Sequence, residues 1–227
     1  YGGETPFYEA TSWEYSFYAP HDIRRLIKLS GGHKEFEKRL DETFNVRDYN
    51  GRKYLNNYFN IGNEPGFLTP CLYHYVGRQW KSVNVIRDIM KTMFGSGRDG
   101  IPGNDDSGAM ASWYIFHAIG IFPNAGQDIY FINSPHFDKT TINLSLPGSP
   151  NSNLTILAYN LSSENIYVQT AKLNGEVWEK TWFRHSDIGD GGTLELWMGK
   201  NVSDNWGVDK ESLYPPSLSD EIIEGRP

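Results

Sequence analysis

The chain reads as an α+β protein in two units, with paired helices over the first half and short strands of an antiparallel sandwich over the second. Three observations predict this. From Trp13 to about Gly120, apolar residues recur at three- and four-residue spacing with clear stop signals. Beyond Gly126 the grammar changes to short β-like runs separated by turn signals such as Pro147-Gly148, Asn174-Gly175 and Asp190-Gly-Gly. No Rossmann or P-loop glycine signature is present, and helices followed by strands are unlike an alternating βαβ chain. The change of period falls near residues 121–126, which divides the chain into units 1–123 and 124–227.

The elements follow in order. Asp22–Leu29 reads as a helix with Asp22 near its start and Gly31-Gly32 as terminator. His33–Phe44 is amphipathic and charge-laced, with Phe36, Leu40 and Phe44 on one stripe. Pro65 suits the first turn of a helix running to Gly77, and Pro70 inside that run would kink it or shift its start. Ser82–Phe94 puts Val85, Ile89 and Met93 on one side, and Asp106–Ile119 forms the last strong helix, closed by Gly120. Strands are predicted over Ile129–Ile132, Thr140–Leu146, Leu154–Tyr159, Ile166–Leu173 and Thr193–Trp197.

Composition narrows the function. The 227 residues carry a formal net charge of −7 with scattered Lys and Arg, which argues against nucleic acid or an anionic membrane as partner. The longest apolar stretch, Ile115–Phe122, is interrupted by His117 and falls far short of the ~20 residues that span a bilayer. A single cysteine, Cys71, excludes an internal disulfide within the chain and multi-cysteine zinc clusters. Aromatic residues at 15% suit sugar-stacking surfaces and equally suit a core. Asn143-Leu-Ser, Asn153-Leu-Thr, Asn160-Leu-Ser and Asn201-Val-Ser are four N-glycosylation patterns, whose crowding favours a secreted protein. The sequence begins at Tyr1 without Met or a signal peptide, so a longer parent chain is expected.

Carboxylates and amides cluster at three loop–helix junctions. In Phe7-Tyr-Glu-Ala-Thr-Ser-Trp-Glu-Tyr15, Glu9 lies among aromatic residues, a setting that disfavours the charged form and suits a general acid; capping or pairing with a cation is the plainer alternative. In Ile61-Gly-Asn-Glu-Pro65, Asn63 and Glu64 are adjacent hard oxygen donors that suit Ca2+, and are equally ordinary at a helix start. In Gly100-Ile-Pro-Gly-Asn-Asp-Asp-Ser-Gly108, Asn104, Asp105 and Asp106 arrive together at a helix start, where capping needs one Asp but not obviously two. Three such sites fit glycoside hydrolysis, in which one acid protonates the leaving oxygen and an opposing base activates water.

At these same places the sequence resembles the glycoside hydrolase family 92 α-mannosidases. FYEATSWEYSFYAPHD (7–22) is similar to that family's acid-bearing block, GNEPGFLTPCLYHYVGRQW (62–80) to its GNEP block, and IPGNDDSGAMASWYIFHAIGIFP (101–123) to its base-bearing block. The resemblance implies part of an (α/α)6 barrel joined to a β-sandwich, Glu9 as acid, Asp106 as base, Asn63 and Glu64 at a calcium and substrate site, and an inverting exo-α-mannosidase. Trp13, Asn104 and Asp105 are then substrate-side residues, with His21 and Asp22 as further supports or caps. It also implies an α-mannoside glycan as substrate and a missing N-terminal portion as packing partner. Asn104 departs from an Asp common in bacterial members, so base duty should rest on Asp106; Gly66-Phe67 depart from a usual Ser-His-His, which bears on linkage preference. Competing readings are another (α/α)6 glycosidase, or a lectin-like module using the β-unit.

Overall fold

The computed structural model describes residues 7–48, 50–144 and 152–223. The predicted Pro147-Gly148 turn and the end of the predicted strand Thr140–Leu146 lie outside the described residues.

Helix α1 is a single turn, Ser12–Tyr15, capped by Thr11, whose hydroxyl accepts from the Glu14 amide. Helix α2 spans Ile23–Leu29 with Asp22 as its N-cap, and α3 spans His33–Asn45 with Phe36, Leu40, Thr43 and Phe44 buried, as the stripe requires. The predicted helix from Pro65 to Gly77 is instead two 3-10 segments, Glu64–Gly66 and Thr69–Val76. Pro65 and Pro70 remove two amide donors within six residues, which breaks the i→i−4 ladder and leaves the tighter turn. Gly77 ends the second segment in left-handed conformation, and a Cβ there would lie 2.5 Å from Asp209 Cα.

Helix α4 covers Gln79–Met93, starting three residues earlier than predicted. Its buried stripe runs through Val83, Ile86, Ile89 and Met90, so Val85 and Met93 are only partly buried. Two polar residues share that stripe and hide it from a hydrophobic pattern: Ser82, and Gln79, whose side-chain amide donates to Ile132 O. Helix α5 covers Ala109–Ile119, later than predicted, because Asp106, Ser107 and Gly108 all have positive φ and cannot belong to a right-handed helix.

Strands β1 (Ile121–Pro123), β2 (Ile129–Ile132) and β7 (Trp182–Arg184) form an antiparallel sheet in the order β1-β2-β7. A second sheet is ordered β3-β4-β8-β5-β6, from Lys139–Asn143, Asn153–Tyr159, Gly192–Gly199, Tyr167–Leu173 and Glu176–Val177. This sheet corrects the all-antiparallel expectation, because β8 enters between β4 and β5 and runs parallel to β4. Its inward residues Leu194, Leu196 and Met198 make it the buried centre of the sheet. Asn174 and Gly175, both at positive φ, make the predicted tight turn between β5 and β6.

The small sheet belongs to two cores at once. Phe122, Ile129, Phe131 and Trp182 pack among the helices, while Ile121, Ile132 and Phe183 pack with the larger sheet. Side chains of a strand alternate between its faces, so one ribbon is buried on both. His74, from the second 3-10 segment, crosses the same junction, with Nδ1 at 2.9 Å from Thr181 Oγ1 and Nε2 at 3.2 Å from Asn133 Oδ1. Among the described residues no helix is long and apolar enough to cross a membrane.

Candidate active site

The loop that carries Glu9 is fixed to the helical unit at several points. Tyr15 Oη donates to Tyr8 O (2.9 Å), and Thr11 Oγ1 donates to Asn57 O (2.6 Å) while capping α1. Trp13 is held on both its edge and its face. Its Nε1 donates to Thr43 Oγ1 (2.8 Å), the Arg39 guanidinium lies 4.4 Å from its ring, and Tyr58 meets it edge-on at 5.1 Å. Glu9 itself is exposed and has φ 65°, a left-handed backbone that a non-glycine residue adopts only when its surroundings hold it there.

The apolar enclosure expected around Glu9 is found instead around Glu14. That side chain is 3% exposed, and burial pushes its carboxyl up to about 7, with a hydrogen bond from Asn63 as the smaller, opposing influence. Sequence reading passed over Glu14 because a charged residue on a short aromatic helix reads as solvated. The signal available was its position between Trp13 and Tyr15, on the one turn that must pack against the loop at Asn63.

Asn63 Nδ2 donates to Glu14 Oε1 at 3.3 Å. The backbone around Asn63 is equally constrained: its N–H donates to Asn60 O, its carbonyl accepts from Gly66, and Asn60 Oδ1 accepts from Gly62. Glu64 follows, exposed, at the start of the first 3-10 segment. The 101–108 loop lies directly on this segment. A Cβ on Gly62 would stand 3.0 Å from Pro102 O, and one on Gly103, at φ +88°, would stand 3.3 Å from Gly62 Cα, so the two backbones meet in a tight approach that glycine eases. Trp113, in α5, donates from Nε1 to Phe67 O and ties the same segments again.

The two aspartates of that loop divide their work. Asp105 Oδ1 accepts from Ala111 N (2.9 Å), and its carbonyl accepts from Gly108 and Met110, so Asp105 braces the first turn of α5, whose N-cap is Gly108. Asp106 is exposed at φ 44°, and Asn104 is exposed beside it. Of the outer supports, Asp22 caps α2 and accepts from Ser219 Oγ, and His21 is exposed with its carbonyl accepting from Leu218. Arg47, Asn57 and Tyr58, the last in edge contact with Trp13, line an open cavity of about 670 Å3.

The three junctions therefore converge on one segment, Gly62–Glu64. Its donors suit a hard cation, an amide oxygen on Asn63 and the exposed carboxylate of Glu64, with the buried carboxyl of Glu14 hydrogen-bonded behind Asn63. They would supply part of a coordination sphere, since no group of three or more His, Cys, Asp and Glu that could hold a metal gathers among the described residues.

Residues 1–200 match the glycosyl hydrolase family 92 catalytic domain. An uncharacterized secreted glycosidase of Arthroderma benhamiae is 41% identical over 215 residues, covering 93% of this chain and 26% of its own length. A family GH92 α-mannosidase of Bacteroides thetaiotaomicron is 32% identical with a TM-score of 0.83, over 95% of this chain and 29% of that one. A GH92 inverting mannosidase of the same bacterium is 30% identical with a TM-score of 0.80, over 94% of this chain and 30% of that one. The chain thus spans between a quarter and a third of the length of these relatives. With the family's catalytic domain matched over residues 1–200, the chain belongs to glycosyl hydrolase family 92.

Proposed function

We propose that this chain carries the acid, base and cation-proximal loops of a secreted, calcium-dependent, inverting exo-α-mannosidase. The observation that carries the reading is the convergence of the Glu9, Asn63-Glu64 and Asp106 junctions on one backbone segment in a family 92 chain. The substrate class is a terminal α-linked mannose, with α-1,2 linkages of N- or O-glycans as the preferred case, and the remainder of a longer enzyme packs on this part to complete the barrel.

In this reaction Glu9 donates a proton to the glycosidic oxygen as the bond to the anomeric carbon breaks. Asp106 takes a proton from a water that attacks that carbon from the opposite face, giving β-mannose. Calcium, when bound by Asn63 and Glu64, supplies coordination for sugar hydroxyls and favours the distorted ring of an oxocarbenium-like transition state. Asn104 and Trp13 border the sugar, and Asp105 holds Asp106 in place by fixing the start of α5.

The test uses the full enzyme on α-mannosides, before and after treatment with a chelator, with product anomer followed by NMR. Chelator-sensitive release of β-mannose is expected, with turnover lost in Glu9→Gln while glycan binding is retained. Chelator-resistant turnover, or better hydrolysis of α-glucosides than of α-mannosides, would overturn the reading in favour of another (α/α)6 glycosidase. Glycan binding unchanged by Glu9→Gln, with no turnover in the wild type, would favour a binding module.

A further inference from the structure

We infer that Glu14 is a positioning residue of the cation site, orienting the amide of Asn63 and mechanically joining that site to the loop of the general acid; the inference rests on the function proposed above. Asn63 Nδ2 donates to Glu14 Oε1 at 3.3 Å, which turns the NH2 of the amide toward the buried carboxyl. The amide is planar, which places Oδ1 on the side away from Glu14, available as a donor of electron pairs to a cation. The backbone of Asn63 is held by Asn60 and Gly66, so the side-chain torsion is the remaining freedom, and the bond to Glu14 removes it.

Glu14 is itself immobile. It is buried to 3% exposure, and its amide is held by Thr11 Oγ1, the same hydroxyl that reaches Asn57 O. Glu9 lies two residues before Thr11 and five before Glu14. A shift of Asn63 is thereby transmitted to the turn that carries the acid. A carboxylate buried without an ion-pair partner is costly in a fold that needs it only for packing, and a leucine or methionine would fill the space. Its place beside Asn63 is accounted for by what it does to Asn63.

The experiment titrates Ca2+ into the metal-stripped full enzyme by calorimetry, for wild type, Glu14→Met, Glu14→Gln, Asn63→Asp and the double variant Glu14→Gln/Asn63→Asp, each checked by thermal melt. Loss of an outer-shell partner typically weakens metal binding by about 10- to 100-fold, and that loss is expected for Glu14→Met. Glu14→Gln keeps an acceptor oxygen and should stay within about threefold of wild type. Asn63→Asp sets two carboxylates against each other and should bind Ca2+ poorly. The double variant reverses donor and acceptor and should recover affinity, which a purely structural Glu14 would not produce.

Wild-type affinity in Glu14→Met overturns the inference. So does equal loss in Glu14→Met and Glu14→Gln, which would assign the charge itself to the metal. If Glu14→Met does not fold, the Asn63→Asp pair decides: equal affinity with and without Glu14→Gln overturns it. Failure of wild type to bind Ca2+ or hydrolyse α-mannosides instead overturns the proposed function.

Discussion

His117 offers the sharpest test of how the helical core is built. It is fully buried in α5, stacked on Phe122 at 4.4 Å and 3°, and edge-on to Trp113 at 4.3 Å, yet neither ring nitrogen has a hydrogen-bond partner among the described residues. An unsatisfied buried donor or acceptor costs roughly 1–3 kcal/mol, against about 1 kcal/mol for the slight overpacking of a larger ring. His117→Phe keeps both ring contacts and removes both orphaned nitrogens, so a net gain of about 1–2 kcal/mol is expected. In a chain of this size that raises the melting temperature by roughly 2–8 °C. Burial, with smaller contributions from His74 and His136, holds the His117 pKa well below the ordinary histidine value. The sign follows from the depressed native pKa. The stability of the neutral form is fully present above about 6.5 and is lost as pH falls, because the unfolded chain takes up a proton that the native chain refuses. Melting wild type and variant side by side from pH 8 to 4.5 should show the variant's advantage widening toward acid. A residual acid slope should persist from His74 and His136, each lowered to about 4 mainly by burial. A variant less stable than wild type at pH 8, or an advantage independent of pH, would refute the argument.

Trp13→Phe removes the Nε1 bond to Thr43 and weakens the contact with Arg39, so urea denaturation should report a loss of about 1–2 kcal/mol. Gly103→Ala puts a Cβ 3.3 Å from Gly62 at φ +88°, and should cost at least about 1 kcal/mol in melts, with a drop of about tenfold or more in kcat/KM as the Asp106 loop lifts from the Asn63 segment. Asp106→Asn suits the left-handed backbone and an exposed site, so stability should hold within about 0.5 kcal/mol while kcat falls by roughly 10²–10⁴.

Much of the fold was legible wherever one rule acted alone. Phe36, Leu40 and Phe44 lie on one helical stripe, and nothing contradicts it; Asn174-Gly175 has one good conformation, a tight turn. Failures occurred where a second influence competed. Pro65 and Pro70 turned a helix into 3-10 segments, and positive φ at Asp106 and Ser107 delayed α5. Strands β1, β6 and β7 are two or three residues long, too short to show a period. The parallel pairing of β4 with β8 is a long-range choice that no local pattern encodes. At the site, Glu9, Asn63 and Asp106 announce themselves as polar residues at loop–helix junctions. Glu14 does not, since its significance comes from burial against a segment some 49 positions away.

The three-stranded ribbon has an implication for how such chains can be recombined. Excising the β-unit would strip Ile129, Phe131 and Trp182 of their helical neighbours and part His74 from Thr181 and Asn133. Neither part carries its own waterproof boundary, so heat should melt them in one cooperative transition. Domain shuffling that cuts near residue 124 should yield insoluble halves, whereas insertions after the exposed Gly175, which leave Asn174 bonded to Asp187 and Thr193, should be carried with little loss.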